Sequence, residues 1–348
     1  MNKGRSNISL IFYEKIFLIP KIFRNFAAIT PIHHPLTHNI MDLSGRREST
    51  NVQDRRGQSG GNLGGLGGLG GGLLGGGKGK AGCGGIIIVI LLFLIGPKLG
   101  LDPMQMIQDG GILGGGEQVE QNDGQPYQGS AEEEELASFT KKVLASTEDV
   151  WTRKFKEMGK TYEAPTLVLY TGSISTGCGQ GTAQTGPFYC SADQCVYIDL
   201  SFYKEMKSSL GAEGDFAWAY VIAHEVGHHV QYLLGTLGKA HQQMAALSKT
   251  EANRVSVQIE LQADFLAGVW GHDEQKLFGS LEKGDLEEAL NTAIVIGDDH
   301  LQKRAGYNPD ERQYTHGTSA QRQRWFRRGF DTGDLKQGDT FSKKSNEL

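Results

Sequence analysis

Two histidines with a glutamate after the first stand at His224, Glu225 and His228, inside the apolar run 216–234. On a helix of about 3.6 residues per turn the two imidazoles stack on one face, where they can take two corners of a tetrahedral metal. Zinc is the metal this spacing favours. Glu225 can lean over the metal without binding it and take a proton from a water whose pKa the metal has lowered to about 7. Trp218, Val221, Ile222, Val230 and Leu233 make the helix a buried one, and a buried His-Glu-His cluster needs a partner to offset its desolvation. Gly227 sits mid-helix, where glycine costs about 1 kcal/mol relative to alanine. That cost marks a place where something passes close to the backbone.

A zinc hydrolase wants three protein ligands and one open position. A third histidine six residues beyond His228 is excluded, because position 231 is Gln and position 234 is Leu. A glutamate from a following helix is the other common solution. Glu260 fits, and Asp264 lies one turn further on the same face, where it can fix His224 through the ring nitrogen that does not bind metal. Asp264 as the ligand itself and Glu251 are the alternatives. His229, His241 and His272 read as bystanders. Peptide hydrolysis develops an oxyanion, and a donor from outside the zinc helices helps to stabilise it. His316, at a loop-to-helix junction, is the candidate; Tyr314 and His300 compete, and local capping or packing is its other use.

These residues need elements to hold them. The motif lies on a helix over 215–234, ended by Gly235 and Gly238. A second helix runs through 251–270. Upstream, Ser130 is an N-cap, and Leu136, Phe139, Val143, Val150, Trp151 and Phe155 recur at helical spacing. Residues 165–170, 187–190 and 195–200 read as strands, the last two around a turn at 191–194, and an extended segment just before the active helix could hold a peptide as an added strand. A helical run follows at 286–296. Thr318 with Gln321 makes a capping box, and Gly329 is a stop signal. Arg322, Arg324, Arg327 and Arg328 read as a solvated helix face, since no aromatic-basic platform accompanies them. With a formal net charge of -5, nothing points to nucleic acid. The expected fold is α+β: a small antiparallel sheet packed on helices, with the zinc site between two of them. Cys190 can face Cys195 across the hairpin, or Cys178 can pair with Cys190, which leaves one thiol over.

The N-terminal part has no such pattern. Residues 1–40 lack a clean signal-peptide core. Met41 reads as the true start, with disorder as the fallback for 1–40. The segment 41–80 is expected to be cytoplasmic and disordered, with a glycine-leucine tract from Gly57. The uncharged run 86–95, extended to 81–101, reads as one membrane span, and 102–129 as a linker. Arg46, Arg47, Arg55, Arg56, Lys78 and Lys80 precede that run and acidic residues follow it. The positive-inside rule then leaves the N-terminus in the cytoplasm and the domain 130–341 outside the inner membrane.

The stretches 46–57, 186–190, 224–231, 260–270 and 315–322, with the glycine tract and short span, resemble the bacterial neutral zinc metallopeptidase family over about 41–341. The resemblance implies a zincin-like, gluzincin-type arrangement, a single-span membrane protein and a peptidase acting on protein or peptide substrates. Cys195 departs from the family pattern. The combined expectation is one zinc per chain on His224, His228 and Glu260, Asp264 behind them, and Glu225 and His316 in catalysis. The reading from another class is a membrane-tethered binding or assembly factor that keeps a structural zinc.

Overall fold

A computed structural model describes residues 41–58, 127–344 and 347–348. Residues 1–40, the apolar run 86–95 and most of the expected linker lie outside them. Helix α1 (Ala131–Glu157) begins at Ser130, whose side chain accepts from the Glu133 N–H, with acidic residues in the first turn. Its apolar face buries Val143, Val150, Trp151 and Phe155.

The expected antiparallel sheet is instead mixed. It has four strands in the order β1-β2-β6-β5, namely β1 (Val52–Asp54), β2 (Thr166–Tyr170), β5 (Phe188–Cys190) and β6 (Cys195–Asp199). Only β5 and β6 form the antiparallel hairpin, with Cys190 opposite Cys195. Strand β2 runs parallel to β6, and β1 parallel to β2. Between β2 and β6 the chain makes a separate hairpin, β3 (Ser173–Thr176) and β4 (Gly179–Thr182), which supplies the long connection a parallel pair requires. The near-continuous apolar character of β2 and β6 is that of strands buried on both faces.

The remaining elements are helices: α2 (Ser201–Glu205), α3 (Asp215–Leu233), α4 (Thr236–Met244), α5 (Lys249–Phe278), α6 (Asp285–Val295), α7 (Asp298–Arg304) and α8 (Ser319–Thr332). Helix α5 outruns the expected 251–270. It opens on a Ser248–Glu251 capping box and closes on Gly279 in the left-handed region. It packs against α3 on one side and α8 on the other. Glycines set both spacings. A Cβ on Gly227 of α3 would meet the Ala263 carbonyl oxygen at 3.0 Å, and one on Gly329 of α8 would come within 2.0 Å of the Phe265 carbonyl oxygen. Gly329 is therefore a packing residue, not a stop: α8 runs on to Thr332 and ends at Gly333.

The largest correction concerns residues 41–58, expected to be disordered. Met41 and Leu43 are buried in the main core, and β1 extends the sheet. Arg46 pairs with Glu274 (3.0 Å) and Asp149 (3.2 Å), and Arg47 with Glu148 and Asp149. Glu148 also accepts from Ser49 (2.6 Å) and Asn51 (2.8 Å). The buried Arg56 guanidinium meets Asp54, Glu133 and Glu134. Basic residues that resemble a membrane-topology signal thus clamp this segment onto α1 and α5. Through the pairing of β1 with β2 this segment belongs to the same sheet as the strands that follow. Among the described residues no helix is long and apolar enough to cross a membrane.

Candidate metal centre

Helix α3 carries His224 and His228, and the facing side of α5 carries Glu260 and Asp264. The close approach at Gly227 brings the two helices near enough for these side chains to meet. One ligand atom each from His224, His228 and Glu260 lies within 4.8 Å of the other two. His224 Nε2 is 3.1 Å from Glu260 Oε2, and His228 Nε2 is 3.6 Å from Glu260 Oε1. A tetrahedron with zinc–ligand bonds of about 2.0–2.1 Å has edges of about 3.3–3.4 Å. The donor set and its spacing therefore fit one zinc ion. Glu251, an alternative third ligand, is occupied in capping α5 through Ser248.

Asp264 lies behind the ligands. Its Oδ1 is 2.8 Å from His224 Nδ1, which directs Nε2 at the metal position. The fully buried carboxylate also accepts from the Tyr220 hydroxyl (2.5 Å) and from Arg322 Nε and Nη2 (2.8 and 2.9 Å). Arg322 is 1% exposed, so the expectation of a solvated arginine face fails at this position. Arg324, Arg327 and Arg328 are exposed, as expected. The signal for Arg322 was present in the sequence: it shares the spacing of Trp325, Phe326 and Gly329, which is a buried helix stripe. On the other imidazole, Gln231 Oε1 sits 3.0 Å from His228 Nδ1, an i,i+3 partner that spacing alone could have identified.

The three carboxyls differ in character. Burial works against a charged Asp264, but Arg322 and His224 outweigh it and hold its pKa at about 2. Burial also opposes charge on Glu260, yet His228 and His316 keep it well below the usual carboxylate range. For Glu225 burial prevails over the nearby histidines, and its pKa is raised. Burial disfavours a charged His224 too, but the Asp264 charge and hydrogen bond bring its pKa to about 10. Glu260 thus stands ionised in the pocket, Asp264 stands ionised behind it on Arg322, and beside them Glu225 is a carboxyl that burial shifts towards its protonated form.

His224, Glu225, His228, Glu260 and His316 line one cleft, with Tyr189 of β5 on its wall. The Tyr189 backbone N–H faces Glu225 and favours its charged form, against the burial that raises its pKa. His316 is held from behind by Asp298. Asp298 Oδ2 accepts the backbone N–H groups of Thr315, His316 and Gly317 at 2.7–2.9 Å, and Oδ1 is 3.3 Å from His316 Nδ1. That tether leaves Nε2 as the nitrogen available to a ligand. Asp298 had no mark in the sequence beyond lying in an Asp-Asp pair. Tyr314 and His300, the competitors of His316, do not line the cleft. His229 is turned away onto Tyr189 and the Glu163 carbonyl. His241, expected as a bystander, does line the cleft. The disulfide is Cys178–Cys190, which ties the β3–β4 hairpin to β5, and Cys195 is the buried free thiol.

The sequence profile of the family described as "Putative neutral zinc metallopeptidase" matches residues 41–341. The "Uncharacterized protein YpfJ" of Escherichia coli K12 is 50% identical over 306 residues, which cover 87% of this chain and 99% of the relative. The "Uncharacterized protein Rv2575" of Mycobacterium tuberculosis is 39% identical over 207 residues, 57% of this chain and 68% of the relative. No solved structure matches. By the extent of that family match and the identity to the Escherichia coli relative, the chain belongs to the neutral zinc metallopeptidase family.

Proposed function

We propose that this protein is a zinc-dependent endopeptidase that hydrolyses peptide bonds with Glu225 as general base. The observation that carries the reading is geometric: Glu225 and Glu260 line one cleft, and only Glu260 joins His224 and His228 in the ligand set. Glu260 and Asp264 are held ionised around the histidines, while Glu225 has a raised pKa and no place in the ligand set. A site that used metal only for stability would have no use for such a base. Zinc held by His224, His228 and Glu260 would supply a Lewis acid and bring the pKa of a water to about 7.

The chain's own residues do the rest. Glu225 takes the proton of the attacking water and returns it to the leaving amine, and burial, which raises its pKa, favours its taking up that proton. His316, fixed by Asp298, offers Nε2 to the oxygen on which negative charge develops. Asp264, Arg322 and Tyr220 hold His224 in place. Strand β5 is the last strand of the sheet and lines the cleft, so an extended substrate can add along it. The apolar wall of Phe202, Met206, Leu210, Val221 and Ile296 suits a hydrophobic substrate side chain. The Cys178–Cys190 disulfide supports an extracytoplasmic location, now for residues 41–58 as well as the domain.

The test is cleavage of a proteome-derived peptide library read by mass spectrometry. Wild-type protein is expected to cut, and Glu225→Gln to retain its zinc but lose at least 100-fold in turnover, the lower range for a general base. Undiminished cutting by Glu225→Gln would remove it from catalysis.

A further inference from the structure

A second acidic cluster lies away from the cleft, where α3 begins. One carboxylate oxygen each from Asp215, Asp285 and Glu288 lies within 4.8 Å of the other two. Part of this density of charge is explained by helix geometry: Asp215 and Glu288 both accept from the Phe216 N–H at the start of α3. Gly214, with φ of +106°, makes room, since a Cβ there would come within 2.0 Å of the Glu288 carboxyl. The rest is unexplained by the helix. Asp285 is 1% exposed, and its Oδ1 has no hydrogen-bond partner. Burial, with the Asp215 charge added, pushes Asp285 up to about 6 and Glu288 to about 7. Carboxyls crowded in this way favour a cation among them.

One nitrogen is already at the cluster. Met41 N lies 2.6 Å from Asp215 Oδ2, and Met41 is 1% exposed. In the full chain this nitrogen is the amide that follows Ile40. An amide offers one N–H, whereas an α-ammonium offers three and a positive charge. The neighbouring backbone is fixed as well, for the Asp42 N–H donates to the Ser280 carbonyl at 2.7 Å. The family match independently begins at Met41.

We propose that the mature chain begins at Met41 and that Asp215, Asp285 and Glu288 are the receptor for its α-ammonium. The new terminus would anchor residues 41–58 to the first turn of the helix that carries the zinc histidines. Two routes yield the same group: initiation at Met41 followed by hydrolysis of its formyl group, which leaves as formate, or hydrolysis of the Ile40–Met41 bond, in which water adds to leave a carboxylate on Ile40 and the ammonium on Met41.

The experiment expresses the entire coding region with its native upstream sequence and reads the untagged product by intact mass and N-terminal peptide. A chain starting at Met41 is expected, and one that retains any of residues 1–40 would overturn the proposal. Replacing the Met41 codon removes the product if initiation occurs there, whereas replacing the Met1 codon removes it if processing does. The folded protein is then treated with formaldehyde and cyanoborohydride, and methylation of the Met41 α-amine is followed by mass spectrometry. Labelling at least tenfold slower than in the urea-unfolded chain is expected, and faster labelling in Asp285→Asn and Glu288→Gln. Equal rates in folded and unfolded protein would overturn the assignment. Should those variants fail to fold, a single glycine placed before Met41 provides the second reading: it should lower Tm by several degrees, and an unchanged Tm would contradict the receptor.

Discussion

At the scale of single residues, the site divides into groups that face the cleft and groups that hold them. The first set was legible because its grammar is local: two histidines and a glutamate on one helix turn, and a glutamate and aspartate one turn apart on the next helix. The holding groups were mostly illegible. Arg322 reaches Asp264 across 58 positions of sequence, and its neighbours Arg324, Arg327 and Arg328 made a solvated face the ordinary reading. Burial of one arginine among four is decided by which turn of α8 meets α5. Asp298 grips the backbone before α8 through three N–H groups, a role that depends on loop shape and not on spacing. The consequence is testable at Asp264. Asp264→Asn keeps the volume but ends the charge pairing with His224 and Arg322. It should weaken zinc binding by about 10- to 100-fold, as the loss of a ligand's orienting partner does. Competition with a chromophoric chelator measures this, and unchanged affinity would detach Asp264 from the metal site.

At the scale of elements, the positions of β2, β5, β6, α1, α3, α5, α6 and α8 followed from local pattern, but the short elements β1, β3, β4, α2, α4 and α7 and the way all of them join did not. The hairpin β5–β6 was expected and is present. The parallel pairing of β2 with β6 was not expected, because local pattern does not record a partner strand. Gly227 and Gly329 show the same limit. Both were noticed, but only packing shows that one holds α3 against α5 and the other α5 against α8. Gly227→Ala should raise helix propensity by about 1 kcal/mol while forcing the Ala263 backbone away from α3. Metal sites tolerate about 0.2 Å in their bond lengths, and the displacement needed is of that order. Zinc affinity should therefore fall without a matching loss of secondary structure. Circular dichroism beside a zinc titration separates the two effects, and wild-type affinity in a folded variant would contradict the role given to this glycine.

At the scale of the whole molecule, residues 41–58 change the account most. Their composition reads as a polar, basic leader to a glycine tract, and from the sequence a domain starting near residue 130 reads as complete without them. In the structure they supply a strand, two buried apolar side chains and a set of ion pairs to α1 and α5. Arg46 pairs with the buried Glu274, and Arg47, Ser49 and Asn51 all donate to the buried Glu148, so removing this segment takes the cationic partner from both carboxylates. The loss of a buried partner costs about 3–5 kcal/mol. A fragment spanning 130–348 should accordingly melt well below the chain from Met41 or fail to fold. Thermal melts of the two test this, and equal Tm values would show the segment to be dispensable.

The central claim is that His224, His228 and Glu260 hold one zinc. The most direct measurement is the zinc content of the purified chain, residues 41–348, beside its Glu260→Ala variant, by elemental analysis. The account predicts about one zinc per wild-type chain and a marked loss in a variant that remains folded. Zinc retained at the wild-type level in Glu260→Ala, or a folded wild type that takes up none, would contradict it.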